Sequence, residues 1–513
     1  MRIAILFSPA FLVTGKAFVK SLQRLDASLE VVAIASNKFV YEDLRKDESL
    51  ALFHLDCIEY HEQNWLDNDY IPSKLERIEA IYGSSLVNSF VVADRQVGAG
   101  YISGAFPQDT KLYRSCRDSN KVRAYIIGTV EFFEKLAIEL DIDSVFLYAI
   151  AGAYSHTMGS VFQHHGVHVC RLQHTRIDDR ILIDTSLFGK LNPVWERINK
   201  GGLGSEQYTE EAKQWLQDYR DKTKAEPDYM DWVRKTIRKN LSPLGIAYNI
   251  IHSILRAGGY ALIKGKKGLH TLSLSYKIKD SILYPYRYYL AINTQKRYDK
   301  EILNSAPYIY VPLHMDPEAS TMHLAPNYTD QMAVVEALSK QAPLHYNILV
   351  KENPYMLGRR PQSFYKRLSS LPRVYIVNPE ISGAEIIKHS KLVFTITGTS
   401  AWEACLIGKP SVVLGKHYPF LPLKGNIIKC SGLDQVDEAV NEAICAEKTD
   451  DSRIQHFLSI IFEDSVRFDS NLLWGKVDEA LITQKQHMID NLARAVLKSY
   501  SRYWSKVSDH YDH

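Results

Sequence analysis

The stretch that decides the fold is residues 392–415, LVFTITGTSAWEACLIGKPSVVLG. Its first five residues, 392–396, are mostly β-branched or aromatic, a composition that predicts a buried strand. Small hydroxyl residues and a glycine indicate a turn, and a helix is predicted over 401–407 with Glu403 in its first turn. A glycine and a proline end that helix, and 411–414 predicts the next strand. The first turn of this unit presents backbone N–H groups at the start of a helix, which is a ready site for an anion. The alternative is that it is simply one more strand-to-helix turn of a parallel sheet.

Length and composition limit the classes of protein to which the whole chain could belong. A chain of 513 residues is long for one core and predicts two or three domains. The net charge of +3 is too small to indicate nucleic-acid binding, and six scattered cysteines without a CxxC pair indicate reduced thiols in a cytosolic protein. The apolar N-terminus is broken by Ser8 and Pro9 and predicts a first strand, not a signal peptide. No transmembrane helix is expected, so we predict a cytoplasmic protein.

Hydrophobic patterning predicts an α/β chain with two Rossmann-like domains. The predicted segments are an N-terminal domain at 1–195, a basic helical insert at 196–304, a second α/β domain at 305–450 and C-terminal helices at 451–513. Strands of the second domain are predicted at 308–313, 346–351, 373–377, 392–396 and 411–414. No GxGxxG follows the first strand of the chain, so a dinucleotide site is not indicated.

A metal site is not expected. Asp141 and Asp143 form a DxD pattern, which can hold a divalent cation on a nucleotide sugar. Such a site belongs at the carboxyl end of a strand, whereas this pair precedes its predicted strand. A turn between helix and strand is the favoured interpretation.

The segment 234–300 is rich in lysine and arginine, and its acids are Asp280 and Asp299. Aromatic and aliphatic residues are interleaved with the cations. The pattern fits helices that lie on an anionic membrane surface, and it fits equally an interdomain linker with a solvated face.

Polar residues follow four predicted strands of the second domain, at 314–320, at Lys351, at 398–400 with Glu403, and at 416–417. The carboxyl ends of parallel strands meet at one edge of a sheet. This edge would offer a helix N-terminus for phosphate, lysines for its charge and a carboxylate for ribose hydroxyls. The inventory predicts a site for a nucleoside mono- or diphosphate.

The same region resembles the bacterial capsular polysaccharide biosynthesis family of GT-B glycosyltransferases, which includes β-Kdo transferases. The matching motifs are HxDPExS at 314–320, KxxP at 351–354, TGTSxxEA at 397–404 and GKP at 408–410, with a weaker match of TRIDDR at 175–180. Relatives have histidine where this chain has Asn353.

The resemblance implies a metal-independent glycosyltransferase that binds its donor in a cleft between two domains. It would move Kdo or a related acidic sugar from CMP, or a sugar from UDP, to a bacterial surface polysaccharide or lipid-linked glycan. No cofactor beyond the donor substrate is implied. The implied donor-binding residues are His314, Glu318, Lys351, Gly398, Thr399, Ser400, Glu403 and His417. In this set Ser400 would bind phosphate, Lys351 would neutralise it and Glu403 would hold the ribose.

The resemblance also implies an acceptor side in the first domain. Its candidate residues are His156, Gln173 and His174, with Arg176, Asp178, Asp179 and Arg180 implied for the chemistry. Asp178 or Asp179 would act as base or nucleophile, oriented by the arginines. Because arginine lowers the pKa of a nearby carboxyl, a nucleophile suits this run better than a base. An Asp-Asp-Arg run is also typical of a salt-bridged loop.

Two other function classes stay open. A sugar-nucleotide epimerase or a polyol-phosphate transferase could use the same architecture. A non-catalytic partner in polysaccharide assembly or export could use the basic segment to contact the inner membrane or an assembly complex.

Overall fold

The computed structural model describes residues 1–99, 101, 109–185, 187–188, 192–202, 204–222, 235–237, 239–263, 268–295, 303, 306–420, 423, 426–446, 451–474 and 477–511. The chain forms two compact units. The first comprises 1–93, 118–209 and 457–513, and the second comprises 94–117 and 210–456. Of the basic segment 234–300, residues 234, 238, 264–267 and 296–300 lie outside the described part. The segment boundaries given above stay predictions.

Thirteen strands are described. They are β1 (Arg2–Phe7), β2 (Glu30–Ala35), β3 (Leu52–Cys57), β4 (Ser144–Leu147), β5 (His168–His174), β6 (Arg180–Asp184), β7 (Tyr308–Pro312), β8 (Asn347–Lys351), β9 (Val374–Ile376), β10 (Leu392–Thr395), β11 (Ser411–Val413), β12 (Ile427–Lys429) and β13 (Val466–Arg467).

The helices fall between these strands and at the chain's C-terminal end. They are α1 (Leu12–Leu25), α2 (Lys38–Lys46), α3 (Ile58–Asp67), α4 (Pro72–Tyr82), α5 (Ser84–Val92), α6 (Lys111–Ser115), α7 (Ser119–Glu139), α8 (Ala153–His164), α9 (Asn192–Asn199), α10 (Glu206–Lys222), α11 (Pro243–Ile263), α12 (Leu274–Gln295), α13 (Ala319–Met322), α14 (Gln331–Gln341), α15 (Gln362–Ser370), α16 (Gly383–His389), α17 (Thr399–Leu406), α18 (Val436–Cys445), α19 (Asp451–Asp464), α20 (Asn471–Trp474) and α21 (Glu479–Tyr511). Short 3-10 turns occur at Pro326–Tyr328 and Pro354–Met356.

The first unit is built on a seven-stranded sheet of order β13-β6-β5-β4-β1-β2-β3. The strands from β5 to β3 are parallel, and β6 and β13 extend the sheet antiparallel. Strands β1 and β2 are almost continuously apolar, as strands covered on both faces are. The C-terminal helix α21 packs on this sheet through Ile489, Leu492 and Val496, which share the core with β1 and β2.

The second unit is built on a six-stranded sheet of order β12-β11-β10-β7-β8-β9, and every pair of neighbours is parallel. Helices α14, α15 and α18 cover one face through residues that share the core with the strands. Helix α12 joins the same core through the buried Ala291 and its neighbours Tyr288 and Ile292. The predicted α/β class with two Rossmann-like parallel-sheet domains is therefore confirmed.

The predicted strands of the second domain are all present, each within two residues of its predicted bounds. The predicted helix at 401–407 begins earlier, at Thr399. Strands β3, β6, β12 and β13 were not predicted from the sequence, and β13 lies in the segment predicted to be helical. The sequence analysis took Asp141 and Asp143 as a turn, and this is confirmed because Asp143 accepts the Arg2 N–H at 2.7 Å and Asp141 has a φ of 45°. No helix among the described residues is long and apolar enough to cross a membrane.

His168 connects the first sheet to helix α21. Its Nδ1 lies 3.0 Å from Ser144 Oγ and its Nε2 lies 3.2 Å from Ser499 Oγ. Burial lowers the pKa of His168 from 6.5 to about 4. Between these two values the unfolded chain binds the proton and the folded chain does not. The stability that neutral His168 contributes is thus fully present above pH 6.5 and is lost as the pH falls towards 4.

Replacing His168 with glutamine should therefore flatten the acid side of the stability profile. The fall in unfolding free energy from pH 7 to pH 5 should be smaller in His168→Gln than in the wild type by about 2 kcal/mol. Urea unfolding at the two pH values measures this. The exposed His165→Gln should behave as wild type, and equal falls in all three proteins would contradict the assignment.

Candidate functional site

The second sheet reverses its strand order between β7 and β10. Strands β8 and β9 lie on one side of β7, whereas β10, β11 and β12 lie on the other. The segments that leave the carboxyl ends of β7 and β10 therefore diverge, and open parallel sheets bind ligands in the crevice that results. His314 follows β7 and Gly398 follows β10. The structure brings these two predicted donor-site residues together, since a Cβ at Gly398 would lie 3.5 Å from His314 Cε1.

His314 is a buried, neutral imidazole. Its Nε2 lies 3.2 Å from Thr395 Oγ1 and accepts the Thr397 N–H at 3.4 Å. A ring nitrogen that accepts from an N–H carries no proton, so the proton of this ring is on Nδ1. Burial, reinforced by the charge of Arg360, lowers the pKa of His314 to about 4. At pH 7 the ring therefore offers an Nδ1–H donor, for which no described residue is the acceptor.

The start of α17 lacks a side-chain cap. Gly398 is the N-cap, and a Cβ there would come within 2.6 Å of Thr395 Oγ1 and 3.0 Å of Ser400 Oγ. Among the described residues none accepts the N–H of Thr399 or Ser400, and the buried Oγ of Ser400 has no hydrogen-bond partner there. Helices α14 and α16 of the same unit, by contrast, are capped by the side chains of Asp330 and Ser382. The start of α17 is therefore an open set of hydrogen-bonding groups at the positive end of a helix dipole.

Glu403 lies one turn into α17 and is half-buried. Its carboxylate accepts the Thr399 hydroxyl at 3.0 Å. Burial and then the negative charge of Glu403 raise the pKa of the Tyr219 phenol of α10. Trp215 stacks on Tyr219 with ring centroids 5.3 Å apart. This aromatic pair was not predicted from the sequence. The pattern that could have indicated it is the four-residue spacing of Trp215 and Tyr219 in an otherwise charged helix.

A buried ion-pair network holds the segment that carries His314. The Arg360 guanidinium donates to Glu352 Oε2 at 2.8 Å, to Asp316 Oδ2 at 3.1 Å and to the His314 carbonyl at 2.6 Å. Gln331 closes the network, because its Oε1 accepts the His314 N–H at 2.7 Å and its Nε2 donates to Asp316 at 2.7 Å. Burial raises the pKa of both carboxyls and Arg360 opposes the rise. Sequence reasoning missed Arg360 and Gln331 because neither lies in a recognisable motif.

The remaining predicted donor residues lie around this centre. Glu318 is the N-cap of α13, and its Oε2 accepts the Ser320 hydroxyl at 2.8 Å. The Ser320 carbonyl in turn accepts the Thr397 hydroxyl at 2.8 Å, which ties the segment after β7 to the turn before α17. Lys351 is the buried last residue of β8, and the half-buried His417 follows β11. Lys351 and His417 are placed near α17 only through the sheet, because β8 and β11 end at the same edge as β10.

Asn353 occupies the position where the resembled family has histidine. Its Oδ1 accepts the Tyr355 N–H at 3.0 Å and so caps the 3-10 turn Pro354–Met356. Asparagine is favoured for such a cap. The substitution therefore has a local structural explanation.

The predicted loop at 173–180 is the turn of a β-hairpin. Strand β5 continues to His174, and β6 returns antiparallel from Arg180. The turn is held from within, because Thr175 Oγ1 donates to the Arg180 carbonyl at 2.8 Å and Arg176 and Asp178 adopt positive φ values.

The two arginines of this turn have different surroundings. Arg176 is exposed. Arg180 is buried, donates to the Phe462 carbonyl at 3.1 Å and to Ser465 Oγ at 3.2 Å, and lies over the Phe462 ring. This placement argues against Arg180 as the residue that orients a reacting carboxylate.

Asp178 and Asp179 are exposed on the hairpin turn. Burial and then the charge of Asp469 raise the pKa of Asp179. The net direction for Asp179 is therefore opposite to the lowering expected from the arginines of the turn, although Lys485 and Arg467 oppose the rise. A carboxyl with a raised pKa suits proton transfer better than nucleophilic attack.

The three predicted acceptor-side residues lie at different depths. His156 is fully buried between the rings of Phe90 and Phe188, which argues against contact with an acceptor. Gln173 accepts from Arg171 at 2.7 Å. His174 is half-buried, burial and nearby arginines lower its pKa to about 4, and its buried Nε2 has no partner among the described residues.

No family model matches the chain, and no curated protein matches its sequence. Solved structures with a similar backbone include the Thermosulfurimonas dismutans KpsC β-Kdo 2,4 transferase, with a TM-score of 0.35, 11% identity, and 62% of this chain and 79% of that chain covered. The UDP-GlcNAc 2-epimerase of Methanocaldococcus jannaschii has a TM-score of 0.26 and 11% identity, with 90% and 98% covered. Anabaena HepE in complex with UDP-glucose has a TM-score of 0.27 and 9% identity, with 96% and 100% covered. Similarities at these scores assign no family, and the site is interpreted below from its own geometry.

Arg360 should be essential for the stability of the second unit. Replacing it with methionine keeps the chain length but leaves two buried carboxylates without their cation, which should cost about 3–5 kcal/mol of unfolding free energy. Arg367→Met removes an exposed pair with Glu336 and should cost at most about 1 kcal/mol. Urea unfolding measures both changes. Equal losses in the two variants would show that the network contributes no more than a surface pair.

Proposed function

We propose that the second unit binds the phosphate of a nucleotide sugar at the start of α17, and that the protein is a glycosyltransferase using that donor. The observation that carries the proposal is the open helix start. The N–H groups of Thr399 and Ser400 and the buried Ser400 hydroxyl have no protein partner among the described residues. A buried polar group without a partner costs free energy, and an anionic ligand would remove that cost.

The groups around the helix start suit the rest of such a donor. His314 supplies a neutral Nδ1–H donor beside Gly398, where it adds a hydrogen bond to a phosphate oxygen without a full charge. Glu403 is half-buried and accepts the Thr399 hydroxyl at 3.0 Å, and a carboxylate at this position suits a ribose hydroxyl. Lys351 at the end of β8 contributes positive potential to the same sheet edge.

The donor sugar follows from the sequence resemblance. A CMP-linked acidic sugar of the Kdo class is the first proposal and a UDP-linked sugar the second, with a bacterial surface glycan or lipid-linked glycan as acceptor. The cytoplasmic location and the absence of a metal requirement stay predictions.

Thermal shifts with CMP, CDP, UDP and GDP test the binding proposal, because a ligand that binds only the folded state raises the melting temperature by mass action. Failure of all four nucleotides to shift the melting temperature would contradict it. Incubation of the stabilising nucleotide's sugar conjugates with the protein alone then separates the activities. Conversion of the sugar without an acceptor would indicate an epimerase, and binding without any turnover would indicate a non-catalytic partner.

Ser400→Ala and Glu403→Gln should each weaken nucleotide binding while the protein stays folded. Ser400→Ala removes a hydroxyl that would bond the nucleotide, and Glu403→Gln replaces a charged acceptor with a neutral one, so each should cost about 1–3 kcal/mol, or about 5- to 150-fold in Kd. Titration calorimetry measures the affinities. Ser382→Ala is the matched control, because this serine caps its own helix by accepting the Glu385 N–H at 3.1 Å, and its loss should reduce stability but leave Kd unchanged. Wild-type Kd in both site variants would place the nucleotide elsewhere.

Asp178→Asn or Asp179→Asn should abolish sugar transfer and leave nucleotide affinity intact. A positioned carboxyl that moves a proton in the transition state contributes about 10²–10⁴ to the rate. The readout is release of nucleotide from the donor in the presence of acceptor glycan. Asp141→Asn is the control, because Asp141 and Asp178 share a positive φ of 45° and 44° and asparagine tolerates that conformation. If both hairpin variants turn over at the wild-type rate, the turn is structural.

A further inference from the structure

Helices α11 and α12 carry an unusual share of the exposed apolar surface. Of the 17 large hydrophobic side chains that are exposed among the described residues, five lie on α11 and four on α12. These two helices comprise 21 and 22 residues of a 513-residue chain. Isolated exposed apolar side chains are normal, whereas a concentration of this kind marks an interaction surface.

The exposed residues of α11 form one stripe. Leu244, Tyr248, Ile251 and Leu255 are spaced by four, three and four residues, which places them on one face of a helix. Their exposed fractions are 84%, 63%, 56% and 68%, so the stripe is open along its length.

Helix α12 is apolar on two faces. One face carries Tyr288, Ala291 and Ile292 and packs on the core of the second sheet. The other carries the exposed Ile282 and Tyr286, with Tyr289 and Leu290 one turn on. Ile282, Tyr286 and Tyr289 therefore add exposed apolar surface to a helix whose other face is anchored in the core of the second sheet.

The positive charge of the two helices and of the residues that flank them indicates which kind of partner fits this surface. Residues 235–295 contain ten lysines and arginines and a single acid, Asp280. Lys235 and Lys239, shortly before α11, and Lys279 and Arg287, within α12, are exposed. A second copy of this surface would bring the same positive charges together, so self-association is disfavoured. An anionic lipid bilayer offers both an apolar layer and negative headgroups.

We infer that α11 and α12 form a docking surface for an anionic lipid bilayer. The apolar stripes enter the boundary between headgroups and acyl chains, the tyrosines lie at the headgroup level, and the exposed lysines and arginine pair with lipid phosphates. This docking goes beyond the proposed nucleotide site and does not depend on it. Helix α12 is nevertheless connected to the segment beside that site, since Arg359 lies over the Tyr284 ring at 4.8 Å and the next residue, Arg360, donates to the His314 carbonyl.

Vesicle flotation with the full chain tests the inference. The wild type should bind phosphatidylcholine vesicles that contain phosphatidylglycerol, and should bind pure phosphatidylcholine vesicles at least about tenfold more weakly. Tyr248→Glu combined with Leu255→Glu should reduce binding to the anionic vesicles by at least about tenfold, because it places two negative charges on the apolar stripe. Lys239→Gln combined with Arg287→Gln should reduce binding and also its dependence on salt.

Leu344→Glu and Ile138→Glu are the matched controls, because these side chains are 83% and 70% exposed at other places on the surface. Both should bind vesicles as the wild type does, and all variants should keep the wild-type melting temperature and nucleotide affinity. Two results would overturn the inference. One is a wild type that does not float with anionic vesicles. The other is a dimer in light scattering that Tyr248→Glu with Leu255→Glu converts to a monomer, which would identify the surface as an interface between copies of this chain.

Discussion

The candidate site depends on one buried cation shared by two carboxylates. Arg360 lies between Asp316, after β7, and Glu352, after β8, and also binds the carbonyl of His314. Taking such ions out of water costs roughly several kcal/mol each, and mutual attraction with complete hydrogen bonding offsets that cost only when the geometry is fixed. Gln331 and Tyr365 complete the hydrogen bonds. The consequence is that the segment after β7 has one conformation, and the position of His314 is set before any ligand arrives.

The start of α17 differs from this network in how its buried polar groups are hydrogen-bonded. Around Arg360 every buried carboxylate has partners, whereas Ser400 presents a buried hydroxyl with none among the described residues. Gly398 keeps the approach open, because any side chain there would collide with Thr395. Helix α17 begins without a side-chain cap, whereas α14 and α16 are capped by Asp330 and Ser382. In a folded chain such a local conflict is expected where a ligand supplies the missing interaction.

Sequence periodicity was sufficient for five of the six strands of the second sheet and insufficient for parts of the first sheet. The strands of the second sheet are short apolar runs between turn residues, so 308–312 and 392–395 are recognisable without any structure. Strand β6 begins inside the polar run at Arg180 and is stabilised by partners distant in sequence, on Phe462 and Ser465. The helix start at Ser400 was predictable from its turn chemistry. Arg360 was not, because its significance lies in contacts with residues 8 and 44 positions away.

Each of the two sheets has a point at which its strand order reverses, but only the helix start at the reversal in the second sheet suits an anion. In the first sheet the reversal lies between β1 and β4. There Ser8 Oγ and Tyr148 Oη bond each other at 2.7 Å, and Phe11 stacks on Tyr148 with ring centroids 4.7 Å apart. Phe11 is itself the N-cap residue of α1, fully buried, so apolar rings cover the helix start that would otherwise face a phosphate. In the second sheet the equivalent place is lined by Gly398 and the neutral His314. Topology therefore supplies two crevices, and the difference between their helix starts favours the second unit for the proposed nucleotide site.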